Sequence, residues 1–375
     1  MLKVMTVLGT RPEIIKMCRV AAEFDKHSNH IIVFTGQNYD YELSQIFFDD
    51  LEFRKPDYFL EAGDKTAIKT IANILASFEE ILIKEKPDAI LLYGDTNSCL
   101  SVIVAKRYKI PVFHMEAGNR CFNENVPEEL NRKIVDHLSD INLVLTEHAR
   151  RYLISEGIKQ DRIIKTGSHM LEVLDYYKDK IDNSKVLEKQ KLKKNDYFIA
   201  SIHREENVDT SKNLLKLIET FNALAKNYNK KVIVSTHPRT QKRIKELAPI
   251  KVDERVKFMP PFGFFDYVTL QKNALTVISD SGTITEETDI LNLNSITIRN
   301  EHERPEGMDA GTLIMSGLNS EDVLNSVKVI LDSNQEVFSK RQRIDDYQAE
   351  NISKKIVKIV YSYTGFINRN VWGKI

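Results

Sequence analysis

Tryptophan occurs once and cysteine three times in 375 residues. Cys18, Cys99 and Cys121 stand far apart, form no CxxC pair and join no histidine at zinc-site spacing. They read as thiols of a reducing compartment, and no metal site is expected. No apolar run approaches the roughly 18–20 residues that span a bilayer. The opening MLKVMTVLGTRPE is apolar too briefly, and interrupted too soon, for a secretory leader. The expected location is therefore cytoplasmic, with no membrane partner. Neither sign of charge is in excess, with 54 Lys+Arg against 54 Asp+Glu. That balance gives no reason to expect nucleic acid or an anionic membrane, so an anionic ligand needs locally placed basic groups.

Three familiar fingerprints are missing too. No two glycines stand at GxG spacing, no GxxxxGK[ST] occurs, and no GxSxG elbow appears. Their absence argues against a bound dinucleotide, P-loop ATP chemistry and the serine-hydrolase elbow. No cofactor is expected.

What is present is an ordinary globular composition, 42% hydrophobic, in a chain long enough for two domains of about 150 residues each. Short β-branched runs alternate with longer amphipathic stretches. Leu2–Leu8, His30–Thr35, Ala89–Tyr93, Val112–Met115, Ile141–Thr146 and Arg162–Thr166 read as strands. Thr66–Lys84 and Asn97–Tyr108 read as helices between them. This rhythm predicts a doubly wound parallel sheet. Residues from about Leu174 to Asn195 break it, being Lys- and Asp-rich and helical in pattern. A second series follows, with strands at Tyr197–Ile202, Lys231–Ser235, Val256–Met259, Leu275–Ser279, Ser295–Ile298 and Leu313–Met315. The tail from about Glu321 to Tyr361 reads as helix. The expectation is an α/β protein of two Rossmann-like domains facing a central cleft. Residues 1–170 form the first, joined by a C-terminal helix over 350–375, and residues 171–349 form the second.

Open α/β sheets bind ligands beyond the carboxyl ends of their strands. Several such places here are chemically unusual. Gly9-Thr-Arg11-Pro-Glu13 allows a tight turn into a helix start, aiming backbone N–H groups, Arg11 and Lys16 at one spot suited to an anion. An ordinary turn with a solvated arginine is the plainer reading. Asp95, in Gly94-Asp-Thr-Asn-Ser, is equally placed to cap a helix. Glu116 ends a strand beside Ala117-Gly118, poorly placed for a core and well placed for a cleft. Pro127 starts a helix whose first turn holds Glu128 and Glu129. Dipole complementarity accounts for both, and Arg132 is one turn from Glu128, a possible surface partner. His203-Arg204-Glu-Glu-Asn and Thr236-His237-Pro-Arg put basic groups after two strands of the second series. Asp280-Ser281-Gly282-Thr283 runs from strand to helix through small hydroxyl residues, the anatomy of a phosphate site. Glu286 or Glu287, about one turn on, suits a ribose diol, and a capping box explains the same residues. Glu303-Arg304-Pro-Glu closes the series. Each place has a plain explanation, but the set does not share one.

Taken in order, Gly9-Thr-Arg-Pro-Glu, Gly94-Asp-Thr, Glu116-Ala-Gly, Pro127-Glu-Glu-x-Asn-Arg-Lys, His203-Arg-x-Glu-Asn, Asp280-Ser-Gly and Glu303-Arg-Pro-Glu resemble the non-hydrolysing UDP-N-acetylglucosamine 2-epimerase family. The match runs from residue 3 to about residue 315. The resemblance implies a GT-B-like fold, a homodimer, and a C-terminal helix that returns to the first domain. It implies epimerisation at C2 of a UDP-linked 2-acetamido sugar by elimination and re-addition of UDP, without metal or redox cofactor. It matches Asp95, Glu116, Glu128 and His203 to catalytic positions, and Arg11, Arg132, Ser281 and Glu287 to UDP-binding ones. Lys16, His237, Gly282 and Arg304, at the same strand ends, complete the expected contacts to UDP or substrate.

The chain departs from the family in two places. The segment before Pro127 is the short Asn119-Arg-Cys-Phe122-Asn-Glu-Asn-Val126, and the early Gln-His motif reads Gly36-Gln37-Asn-Tyr-Asp-Tyr-Glu. The second departure puts the family's allosteric site in doubt. Together with His114-Met-Glu-Ala-Gly-Asn-Arg-Cys-Phe, these variants are similar to a subgroup that converts UDP-2-acetamido-2,6-dideoxy-L-talose to UDP-N-acetyl-L-fucosamine for capsule or O-antigen. Phe122 and Val126 would offer the 6-deoxy methyl an apolar surface, or serve as plain loop anchors. The competing readings are a UDP-N-acetylglucosamine 2-epimerase proper, a GT-B glycosyltransferase, a hydrolysing epimerase and a non-catalytic UDP-sugar sensor.

Overall fold

Most of the β-branched runs become strands buried on both faces, as parallel sheets covered by helices require, with Val256–Met259 and Ile314–Met315 partly exposed. The computed structural model describes residues 1–36, 48–202, 204–208, 210–236, 238–246, 251–336 and 343–374. Contacts divide the chain into two compact units, Met1–Asp175 with Asp345–Ile375, and Tyr176–Ile344.

The first unit has a seven-stranded sheet of β1 (Lys3–Leu8), β2 (Asn29–Phe34), β3 (Tyr58–Phe59), β4 (Ala89–Tyr93), β5 (Val112–Met115), β6 (Ile141–Val144) and β7 (Ile163–Lys165). Its order is β3-β2-β1-β4-β5-β6-β7, and all pairs are parallel. The second unit has a six-stranded parallel sheet of β8 (Tyr197–Ile202), β9 (Lys231–Thr236), β10 (Val256–Met259), β11 (Thr276–Ser279), β12 (Ser295–Thr297) and β13 (Ile314–Met315). Its order is β10-β9-β8-β11-β12-β13. Each sheet therefore reverses its order once, between β1 and β4 and between β8 and β11. Those reversals are where a doubly wound sheet opens a ligand crevice at its carboxyl edge.

Helix Ala67–Glu85 shows how local sequence and packing agree. Thr66 caps it, its hydroxyl accepting from the Lys69 N–H, and Ile74, Phe78 and Leu82 recur every fourth residue on the buried face. They pack with Val33, Ile90 and Leu92 of the sheet. In the second unit Leu217, Phe221 and Leu224 of helix Ser211–Tyr228 cover Phe198, Ala200 and Val234.

Two expectations need correction. Asn97–Tyr108 is a 3₁₀ turn, Asn97–Ser101, leading into a short α-helix, Val102–Arg107. The tail is not one helix. Ser320–Glu336 belongs to the second unit, and Ile352–Asn370 packs on Arg11–His27 in the first. Asp346 fixes the re-entry, pairing with Lys165 at 2.7 Å and accepting from the Glu147 N–H at 2.9 Å. Among the described residues no helix is long and apolar enough to cross a membrane.

Candidate active site

At the reversal in the first sheet, β1 runs through Gly9 and Thr10 into helix Arg11–His27, and β4 ends at Gly94-Asp95-Thr96. Glu13 joins the two. Its carboxyl accepts from the Gly9 N–H at 2.5 Å, the Thr10 N–H at 3.3 Å and the Thr96 hydroxyl at 2.7 Å. This is the capping box of Thr10 with Glu13, extended across the sheet to the next strand end. Burial raises the Glu13 pKa to about 7, against the pull of these donors.

Asp95 and Glu116 sit at the ends of neighbouring strands, β4 and β5. Each faces a cation. Arg132 Nε lies 2.7 Å from Asp95, and Lys16 Nζ lies 3.0 Å from Glu116. Lys16 also stands 5.5 Å over the Tyr93 ring. Glu116 has a φ of 63°, a left-handed conformation rare for a glutamate and worth about 1–3 kcal/mol of strain. The strain turns the residue after β5 and sets its carboxylate against Lys16.

Arg132 is not the partner of Glu128. Its NH1 lies 2.6 Å from Glu129, which is buried, while Glu128 is exposed. The helix Pro127–Leu138 explains the exchange: residue 129 falls on the inward face with Arg132, residue 128 on the outward one. Glu129 further accepts from the Cys121 and Phe122 N–H groups at 3.0 and 3.1 Å, tying the preceding loop to the helix. The Cys121 thiol donates to Glu129 at 3.3 Å, and burial pushes its pKa up.

At the reversal in the second sheet, buried Asp280 follows β11 and accepts from the Arg204 N–H at 3.1 Å and Asn207 Nδ2 at 3.0 Å. It thereby joins the ends of β8 and β11. The turn beyond it is lined by hydroxyls. Ser281 and Thr283 hydroxyls are 2.9 Å apart, and Thr283 donates to Glu287 at 2.7 Å. Glu287 also accepts from Gln271 Nε2 at 2.6 Å. Glu286 is buried and ion-paired with Arg304 at 2.6 Å, so of the two glutamates it is Glu287 that stays partly exposed at this turn. Arg304 donates as well to the Gly282 carbonyl at 3.3 Å, bracing the turn from behind. A Cβ on Gly282 would overlap Glu303 Oε1, which explains the glycine. Helix Ile284–Leu291 starts there, its first N–H groups at the turn.

His203, His237 and Gln37 lie outside the described residues, as does the Arg11 side chain. The remaining expected residues group by unit: Lys16, Asp95, Glu116 and Arg132 in the first, Ser281, Gly282, Glu287 and Arg304 in the second. Glu128 is on the rim helix of the first unit, not drawn into either ion pair.

This geometry can be set beside known proteins. Residues 21–361 match the family model described as UDP-N-acetylglucosamine 2-epimerase. A structure of UDP-N-acetylglucosamine 2-epimerase from Rickettsia bellii is 55% identical, covers 100% of both chains and superposes with a TM-score of 0.91. The Methanocaldococcus jannaschii UDP-GlcNAc 2-epimerase, crystallised with UDP-GlcNAc and UDP, is 34% identical over 96% of this chain and 100% of its own, with a TM-score of 0.88. The UDP-2,3-diacetamido-2,3-dideoxy-D-glucuronate 2-epimerase of Pseudomonas aeruginosa is 31% identical over 335 residues, 88% of this chain and 92% of its own. The chain belongs to the UDP-N-acetylglucosamine 2-epimerase family.

The fold of this epimerase is accordingly GT-B-like, with two parallel sheets. Its site also contains residues that reading the sequence did not single out. Glu13 was visible as the fourth residue of Thr10-Arg-Pro-Glu13, a capping-box spacing, but its reach to Thr96 is a tertiary contact. Glu129 differs from Glu128 only in helical phase. His114 and Asp136 are buried 22 residues apart in the chain and 2.8 Å apart in space. Nothing local in the sequence pairs them.

Proposed function

We propose that this epimerase inverts C2 of a UDP-linked 2-acetamido sugar by elimination and re-addition of UDP. One observation carries the proposal: Asp95 and Glu116 end adjacent strands at the sheet reversal, each against a cation. In the forward half-reaction a carboxylate takes the C2 proton. The C–H electrons form the C1–C2 double bond, and UDP leaves with the electrons of the C1–O bond. In the return half-reaction a proton reaches C2 from the opposite face, and a UDP oxygen rejoins C1. Two proton-transfer groups suit the two faces, and donors near the diphosphate suit the leaving group. The Ser281–Glu287 turn of the second unit is assigned to the nucleotide, by its hydroxyls and helix start. The balance of atoms needs no metal and no redox cofactor.

For the sugar, we propose UDP-2-acetamido-2,6-dideoxy-L-talose, converted to UDP-N-acetyl-L-fucosamine for capsule or O-antigen. What supports this is the shortened Asn119–Val126 segment and Phe122, whose side chain is 67% exposed and meets Tyr152 edge-on at 5.2 Å. An apolar ring kept at the surface suits a methyl better than a hydroxymethyl group. A second reading, UDP-N-acetylglucosamine to UDP-N-acetylmannosamine, is favoured by the names of the Rickettsia bellii and M. jannaschii relatives. Incubation of each sugar nucleotide with the protein in D₂O, followed by proton NMR at C2, separates them. Deuterium at C2 with a new epimer from the 6-deoxy sugar alone is the expected result. Exchange from the glucosamine compound alone reverses the substrate assignment. Exchange from neither overturns the elimination mechanism and favours a transferase or a sensor.

We also propose a homodimer. Leu130 and Ile134, one turn apart on helix Pro127–Leu138, are exposed, as are Ile68 and Ile83 of helix Ala67–Glu85.

A further inference from the structure

Gly94 has a φ of 72°, and the direction of its peptide decides where Asp95 points. The Gly94 carbonyl is held by His114 of β5, whose Nε2 lies 2.7 Å away. Nδ1 of the same ring lies 2.8 Å from Asp136 Oδ1. Both neighbours of this buried ring are acceptors. A neutral imidazole donates from one nitrogen only, so the two short contacts are satisfied together by the imidazolium form. Asp136 is an apt counter-charge. Burial pushes its pKa up, but His114 and then Arg120, at 2.7 Å, bring it below the usual carboxylate value. Behind Arg120 stands Glu156, bound by two nitrogens at 2.7 Å each. The sheet sets neutral groups beside the ring, Leu92 on β4 and Asn142 on β6. The Cys99 thiol, kept uncharged by burial, is within electrostatic reach of Asp136.

We propose that His114, as a buried imidazolium, is a positioning residue for epimerisation. It clamps the Gly94 carbonyl and through that peptide aims Asp95. The proposal rests on the assignment of Asp95 to proton transfer. With one ring proton instead of two, one of the contacts would set acceptor against acceptor, and the Gly94 carbonyl would lose its clamp.

The first test counts protons. In ¹⁵N NMR of histidine-labelled wild-type protein, His114 is expected to carry two protonated nitrogens near neutral pH. A single protonated nitrogen there overturns the proposal. The second test is kinetic. His114→Gln is expected to lower kcat on the order of a hundred-fold, the effect of a misplaced group, with UDP affinity unchanged. Asp136→Asn is expected to lower kcat in the same way, UDP affinity again unchanged, since the imidazolium loses its counter-charge. Wild-type kcat in either variant sinks the proposal. If His114→Gln does not fold, the wild-type spectrum and His114→Asn still decide. Asp95→Asn, measured alongside, separates the two claims. Turnover retained there refutes the role of Asp95 itself. A dead Asp95→Asn beside a fully active His114→Gln refutes only the positioning.

Discussion

At Glu13 two demands oppose each other. Three donors favour its carboxylate, and burial favours its neutral acid; burial wins, raising the pKa to about 7. Between the ordinary carboxylate value and about 7 the folded protein holds a proton that the unfolded chain has lost. Stability that Glu13 contributes at low pH is therefore lost as pH rises through that window, by about 3 kcal/mol for a shift of this size. Glu13→Gln keeps an oxygen toward the Gly9 N–H but cannot titrate. Urea melts are expected to show the variant gaining on the wild type from pH 4.5 to about 7 and tracking it above. Parallel curves across the range would refute the assignment. Gly282 carries the second expectation at this scale. A methyl there meets Glu303, which Arg299 holds at 2.5 Å and which therefore yields poorly. Gly282→Ala should cost about 1–3 kcal/mol of stability and weaken UDP binding at least tenfold by displacing the turn. Calorimetric titration with UDP reads the second effect, and wild-type affinity would leave the turn without the role given it. Asp95, Glu116 and Ser281 stand out in the sequence because each follows a strand at short range. Which glutamate meets Arg132 does not, because it depends on helical phase.

Elements were more legible than contacts. Among the described residues, twelve of the thirteen strands appear where β-branched runs predict them, since a strand buried on both faces leaves a continuous apolar signature. The missed one, Tyr58–Phe59, has two residues, too few for any period. The tail misled because the run Glu321–Tyr361 is helical in composition at both ends, and the crossing from one unit to the other between them leaves no breaker residue. Helix surfaces give a further expectation. Leu130 and Ile134 are large, apolar and exposed on helix Pro127–Leu138, the pattern of a covered face. Leu130→Glu with Ile134→Glu should convert a dimer to a monomer in light scattering, with little change in melting temperature of the monomeric unit. A monomeric wild type, or a doubly substituted chain that remains dimeric, would rule this face out as the interface.

Each unit of the molecule carries polar groups at its own sheet reversal, yet of different residue types. The first presents carboxylates held by Lys16 and Arg132; the second presents hydroxyls at a helix start braced by Arg304. Under the proposed function the carboxylates serve proton transfer and the hydroxyls the diphosphate, so the two kinds of residue should fail differently. Asp95→Asn keeps the size of the side chain and a carbonyl for Arg132, but removes a proton acceptor. It should lower deuterium exchange at C2 by about 10²- to 10⁴-fold, the range for a lost acid/base group, and leave UDP affinity within about twofold. Ser281→Ala removes one hydroxyl from the turn proposed to hold the nucleotide. A hydrogen bond to a charged group is worth about 1.5–3 kcal/mol, so UDP should bind about ten- to a hundredfold more weakly. Residual exchange at saturating sugar nucleotide should then approach that of the wild type. The measurement is paired, UDP titration and exchange rate on the same preparations. Parallel losses of both quantities in both variants would mean that neither unit has the separate task given it, and that the substitutions act through stability alone.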